Sequence, residues 1–296
     1  MRIGIGLPTF HGNLARADVV LDWARRADEA GFDSLVVHDK PNHDTWDPLA
    51  TLAAVAAITR RARLLTAALL LPTRDEALVA KQAAVVDLVS GGRLDLGLAV
   101  GARPDDFELF GREMRGRGQT FERQLARLVE LWGAARETRA TGGAAGPAPA
   151  QEPHPRLWIG GYTDAAVERA VRFGHGYLFG APDVEVMAAR VPVIRAAAGQ
   201  AGRGRLPIAG LAYVLPTDDA GELADGEVLL QRYYGTLRKP FPELVIHGSP
   251  EEVVAAVRRY EAAGLDVLHL LPVSVSVDVV ERLAAVVLPA FAGADA

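Results

Sequence analysis

The stretch Leu64-Leu65-Thr66-Ala67-Ala68-Leu69-Leu70-Leu71 carries no charge and a single hydroxyl. A strand with one wet face alternates polar and apolar residues. This one does not, so it belongs to a sheet covered on both faces, the usual setting of parallel strands with helices packed above and below.

The same element recurs on either side of it. Short apolar runs at Ile3–Pro8, Ser34–His38, Leu94–Val100, Leu157–Ile159, Tyr177–Phe179, Pro207–Val214 and Val267–Leu271 read as strands. Between and after them Val19–Ala30, Pro48–Arg60, Leu78–Val89, Phe121–Ala134, Ala165–Phe173, Val184–Ala198, Pro250–Ala263 and Val279–Val287 read as helices. Strict β–α alternation predicts an α/β fold with a parallel sheet. Eight units are the number that closes a (β/α)₈ TIM barrel, and no G-x-G-x-x-G follows strand one as a doubly wound dinucleotide fold would require. The expectation is one barrel domain over residues 1–296, with a helical excursion after strand seven. That excursion, Asp218–His247, contains a helix around Glu227–Thr236 and reads as a lid or an oligomer contact, the lid preferred. Arg139–Pro155, rich in Gly, Ala and Pro, reads as a mobile loop.

Bulk properties narrow the function. Half of the 296 residues are hydrophobic, and a chain near this length buries about three-quarters of its unfolded surface. The net charge is −5 with no basic run, which argues against nucleic acid. With no cysteine, disulfides, thiolate metal sites and cysteine nucleophiles are excluded. There is no signal-peptide core and no window long and apolar enough for a membrane, so a cytoplasmic protein is expected. Neither a nucleophile elbow, a P-loop nor an HExxH occurs.

In a barrel of this kind the chemistry sits where strands end. Strand one ends at Leu7-Pro8-Thr9-Phe10, where Phe10 either covers a planar ring or simply continues the exit. Strand two ends in His38-Asp39-Lys40, with His43, Asp44 and Asp47 close behind. This cluster suits acid–base chemistry or a metal; Asp44 and Asp47 also suit capping of the helix at Pro48. In strand three Ala67 and Ala68 leave room for something flat, or for tight packing. Gly91 and Gly92, before strand four, lie on the opposite face and read as turn-formers. After strand four, Gly101 permits close backbone approach and Arg103 can meet an anion. After strand five, Gly160-Gly161-Tyr162-Thr163 runs straight into a helix, whose N-terminus offers free N–H groups and the positive dipole end to a phosphate.

Taken in order, Thr66–Thr73 (TAALLLPT), Asp87–Arg93 (DLVSGGR), Asp106-Phe107 with Phe110-Gly111, Gly161-Tyr162-Thr163, Arg172-Phe173-Gly174 and Gly248-Ser249-Pro250-Glu251-Glu252 resemble the luciferase-like flavin monooxygenases. That family includes bacterial luciferase and the deazaflavin (F420) reductases. The resemblance implies a flavin over Ala67 and Ala68, joined by a non-proline cis peptide. It implies a ribityl arm passing Gly101 and Ala102, and a phosphate held by Tyr162 and Thr163, beside the Gly160-Gly161 turn already read as a phosphate seat. Pro8 and Thr9 count among the cofactor contacts. Luciferase has an arginine where this chain has Val100, so Arg103 is expected to replace it. The family often ends strand two in Asp-His or His-His; with His38-Asp39-Lys40 here, His38 or His43 rather than Lys40 is expected to be the acid–base group. The implied activity is oxidation of a small organic substrate with reduced FMN and O₂. The FMN would be supplied by a separate flavin reductase, since no second nucleotide fingerprint occurs. Three alternatives stand: an F420-dependent reductase, a metal-dependent barrel hydrolase using His38, Asp39, His43 and Asp44, and a flavin-binding barrel without catalysis. A homodimer is expected, because Leu49–Ile58 forms an outer helix without a polar stripe.

Overall fold

A computed structural model describes residues 1–138 and 146–292, excluding the side chains of residues 12–14. Within it the strands β1 (Arg2–Gly6), β2 (Ser34–Val37), β3 (Arg63–Thr66), β4 (Leu94–Ala99), β5 (Arg156–Gly160), β6 (Gly176–Leu178), β7 (Ile208–Leu215) and β8 (Val267–Pro272) pair in parallel in chain order. β8 pairs with β1 through Leu268↔Ile3 and with β7 through Val267↔Ala209, which closes the barrel. The expected (β/α)₈ fold is therefore present. A short strand, Val245–His247, adds to the outer side of β7.

Local chemistry sets the helices between the strands. Asp47 caps α2 (Pro48–Ile58), accepting from the Ala50 N–H at 2.9 Å. Asp44 does not cap it; its carboxylate lies against His43 and Arg232 instead. Asp75 caps α3 (Glu76–Ser90), and Gly91 closes that helix in the left-handed conformation at φ 69°. Asp87 of the same motif accepts from the backbone and side-chain nitrogens of Gln151 at 2.8 and 2.7 Å, while Arg93 donates to the carbonyls of Ala56, Thr59 and Ala62. The DLVSGGR stretch thus ties together the stability face of the barrel. α5 (Arg117–Glu137), α6 (Asp164–Phe173), α7 (Val184–Gln200), α10 (Pro250–Ala262) and α11 (Asp278–Phe291) complete the outer ring.

Three segments depart from the sequence reading. Strand three is not continuous: β3 stops at Thr66, and Leu69–Leu70 rejoins β4 after the Ala67–Ala68 peptide, which is cis. A short helix α4 (Pro104–Leu109) follows β4 unanticipated. In the excursion after β7, α8 spans Ala220–Tyr234, starting a full two turns before the expected helix because Asp219 caps it at the Glu222 N–H; it is followed by the short helix α9 (Phe241–Leu244). Of the loop expected over Arg139–Pro155, residues 139–145 lie outside the described residues. No helix among the described residues is long and apolar enough to cross a membrane.

Candidate active site

A cleft of about 360 Å³ opens at the C-terminal ends of β3 to β6. Its floor is Ala67 and Ala68, the two small residues of the split third strand. Gly160 stands opposite: a methyl there would lie 3.5–3.6 Å from the Cβ atoms of Ala99 and Ala68, so the wall on that side is bare backbone. Ala99, Val100, Gly101 and Ala102 form one flank, and Leu178, Phe179, Gly180 and Leu211 the other. Most of this lining is small or apolar, with Asp39, Arg117, Thr163 and Arg169 as its polar members.

The polar members of the lining could meet an anion. Thr163 caps α6, accepting from the Ala166 N–H at 3.3 Å, which leaves its own hydroxyl proton free to donate. Thr163 and Ala166 of that turn both line the cleft; the Ala166 N–H is taken up by Thr163, so the N–H groups of Asp164 and Ala165 are the ones the helix start leaves without an intrahelical partner. Tyr177 donates to the Gly161 carbonyl at 2.5 Å and anchors the turn against the barrel. Two arginines that the sequence did not single out complete the set. Arg117, from the first turn of α5, donates through Nε to the Gly101 carbonyl at 2.9 Å; Arg169, from the middle of α6, donates to Glu122 at 2.9 Å. Both guanidiniums keep N–H groups beyond those bonds.

The structure gathers Asp39, Ala67, Ala68, Gly101, Ala102, Gly160, Gly161, Tyr162 and Thr163 around one cleft. It does not bring Arg103 there. Arg103 is exposed and folds back on Asp105 at 2.7 Å, two residues along its own chain. That pairing holds the Asp105 carboxyl at about 2. Pro8 and Thr9 lie outside the lining residues, in the 3₁₀ turn Pro8–Leu14 that follows β1. Gly161 also differs in detail. A Cβ on it would stand 2.5 Å from Ala166 Cβ, so its bareness serves the packing of α6 and not the anion directly.

The polar exit of β2 divides into four environments. His38 is buried against Phe10, ring centroids 5.4 Å apart, with neither ring nitrogen hydrogen-bonded; burial lowers its pKa to about 4. Asp39 accepts from the Leu70 N–H at 2.8 Å and from Arg74 at 3.0 Å, so it holds the backbone just beyond the alanine shelf. Burial raises its carboxyl to about 6 against the pull of Arg74. Lys40 donates to the Tyr233 carbonyl and sits 4.2 Å from the centre of that residue's ring; burial lowers its pKa. His43 lies 3.0 Å through Nδ1 from Asp44 and contacts the Arg232 carbonyl at 3.1 Å through Nε2. Lys40 and His43 thus both grip the last turn of α8, which roofs this side of the barrel. Among the described residues no group of three or more histidines and carboxylates is arranged to hold a metal ion.

The sequence profile of the luciferase-like monooxygenases matches residues 1–237. The chain belongs to that family. A Mycobacterium tuberculosis protein is 35% identical over 159 residues, 50% of this chain and 54% of that protein, so the chain spans about half the length of the curated relatives it matches first. The oxygenase component of the flavin-dependent trigonelline monooxygenase of Acinetobacter baylyi is 28% identical over 135 residues, 43% of this chain and 38% of that one. Among solved structures, monooxygenase RslO1 from Streptomyces bottropensis superposes with a TM-score of 0.85 at 25% identity, covering 99% of this chain and 100% of that one. The Ala67–Ala68 peptide is cis, as the resemblance implied.

Proposed function

We propose that the protein is a flavin-dependent monooxygenase that takes up reduced FMN and uses O₂ to oxidise a small organic molecule. The observation that carries this reading is the cleft itself: an alanine shelf for a planar ring, with a helix N-terminus, a free hydroxyl and two arginines at one end for a phosphate. Reduced FMN, when bound, would supply the electrons for oxygen chemistry. The protein's own groups have narrower tasks. Arg117, Arg169 and Thr163 hold the phosphate; Asp39 fixes the shelf through Leu70; α8 and Tyr233 exclude water. His38, neutral and buried, is the group placed to accept or return a proton. Its rivals Lys40 and His43 are engaged with the roof. The match to an enzyme named as an oxygenase component supports a separate flavin reductase as the source of reduced FMN.

The deciding experiment is anaerobic titration of the purified chain with reduced FMN and, separately, with reduced F420, followed by admission of air. The reading expects saturable binding of reduced FMN and oxygen uptake by the complex. Tight binding of reduced F420 alone, with no oxygen uptake, would transfer the protein to the deazaflavin reductases.

A further inference from the structure

The helix start assigned to the phosphate carries a carboxylate of its own. Asp164 is the first residue of α6, and its N–H is one of the two left without an intrahelical partner. An acid at this position suits the positive end of the helix dipole. A phosphate on the same N–H would stand within a few ångströms of that acid, and like charges so close repel.

Arg190 meets this conflict from the neighbouring helix α7. Its Nη2 donates to Oδ1 of Asp164 at 2.8 Å. Thr163 and Ala166, on either side of Asp164 in the chain, line the cleft, whereas Asp164 and Arg190 do not. The pair thus holds the carboxylate outside the space that the phosphate would enter.

Stability does not account for the arginine. The Asp164 side chain is 81% exposed and that of Arg190 23%, and an ion pair so open to water adds little to a fold. Arg190 also reaches it at a cost, because its Nε is buried with no hydrogen-bond partner among the described residues. The same guanidinium stands beside Tyr177, whose hydroxyl donates to the Gly161 carbonyl at 2.5 Å. Burial pushes that phenol up to about 12, Arg190 pulls against the rise and Asp164 adds to it. The turn from Gly161 to Asp164 is therefore fixed at both ends by residues outside the cleft, Tyr177 at the first and Arg190 at the last.

We propose that Arg190 is a positioning residue for the cofactor: it draws the Asp164 carboxylate off the phosphate seat and offsets its charge. Without it, the helix start would be guarded against phosphate by its own acid. The inference rests on the flavin reading and concerns the phosphate alone, since a flavin without one gives Asp164 nothing to repel.

The test is anaerobic titration of the whole chain with reduced FMN and with reduced riboflavin, which has the same ring and ribityl arm and no phosphate. Arg190→Met should weaken reduced FMN at least fivefold and leave reduced riboflavin within twofold. Asp164→Asn should tighten reduced FMN at least threefold, again with riboflavin unmoved. The double variant should bind reduced FMN within twofold of Asp164→Asn, because removing the arginine matters only while the carboxylate is present. A structural role alone would lower both flavins together and would persist in the double variant; either result overturns the proposal, as does an Arg190→Met protein that binds reduced FMN like the unaltered one. Should Arg190→Met not fold, Asp164→Asn carries the test by itself, and unchanged FMN affinity there is the overturning result. Failure of the unaltered chain to bind reduced FMN overturns the flavin reading and this inference with it, whereas FMN binding that is blind to both substitutions overturns this inference alone.

Discussion

Arg169 reaches the cleft past the bare backbone of Gly118: a Cβ at that position would stand 2.7 Å from Nη2 of the guanidinium. Gly118 lies in the first turn of α5, where alanine is the better helix former by about 1 kcal/mol. Gly118→Ala should therefore melt at the same temperature or higher, since the displaced group is the tip of a flexible side chain. FMN affinity should nonetheless fall several-fold, because Arg169 has to swing away from the anion end. Thermal melts and flavin titration on the same preparation check both halves; unchanged affinity would remove Arg169 from the phosphate site.

The neighbouring arginines provide a sharper contrast. Arg117→Ala removes a charged donor at the cleft and should weaken FMN tenfold or more, in keeping with loss of a charge-assisted bond. Arg103→Ala, already paired with Asp105 away from the cleft, should stay within twofold. The reverse ranking would restore the assignment made from sequence.

An apolar face runs across α2 and α3. The outward positions of α2 are Ala50, Ala54 and Ala57, and on α3 Leu78 and Val89 are at least half exposed, with Val85 and Leu88 near two-fifths. An apolar face of this kind marks an association surface. A homodimer through these helices is the expected state. Val85→Asp should convert it to a monomer at micromolar concentration by light scattering, with the fold retained; an unaltered protein that is already monomeric contradicts the expectation.

Acid should expose the cost of the buried imidazoles. The unfolded chain protonates His11 and His38 as pH falls below 6.5, whereas the folded chain resists until about 4. For these two groups the unfolded state binds more protons over that interval, so the stability each histidine contributes is lost as pH falls from 6.5 to 4 and the loss levels off below. Each histidine contributes on the order of 3 kcal/mol to the drop. The neighbouring titratable groups Asp39, Lys40, Tyr233 and His269 are common to the unaltered protein and to His11→Phe, so the comparison isolates one imidazole. The variant's advantage in urea unfolding should grow steadily between pH 6.5 and pH 4; an advantage that does not vary with pH would mean His11 is not held neutral.

Much of this was legible in the chain because it is encoded locally. Strand ends, the Asp47 cap, the left-handed Gly91 and the Gly-Gly turn into α6 are each written within a few residues. Arg103 stands away from the cleft because it pairs with Asp105, a contact that the position of Arg103 after strand four does not reveal. Arg117 and Arg169 stand on amphipathic helices, where an arginine facing the cleft has the same local signature as a solvated one. Gly118, in the first turn of α5, is the one local trace of the second of them, and the second glycine of that helix, Gly133, has nothing packed on it. His11 went unremarked because burial, and with it the lack of a partner, depends on Phe10, Tyr233 and the end of β8 folding over it from distant parts of the chain.

The barrel mouth is shared between two sets of strands. Those from β3 to β6 supply the cleft, and the exits of β1 and β2, with α8 above them, supply the aromatic enclosure around the histidines; Asp39 is the seam. On the functional reading proposed above, the two halves can diverge independently. Substitutions at Phe10 or Tyr233 would reshape that enclosure while the flavin seat is inherited intact. An engineer wishing to retarget the enzyme would randomise the first half and leave the second alone.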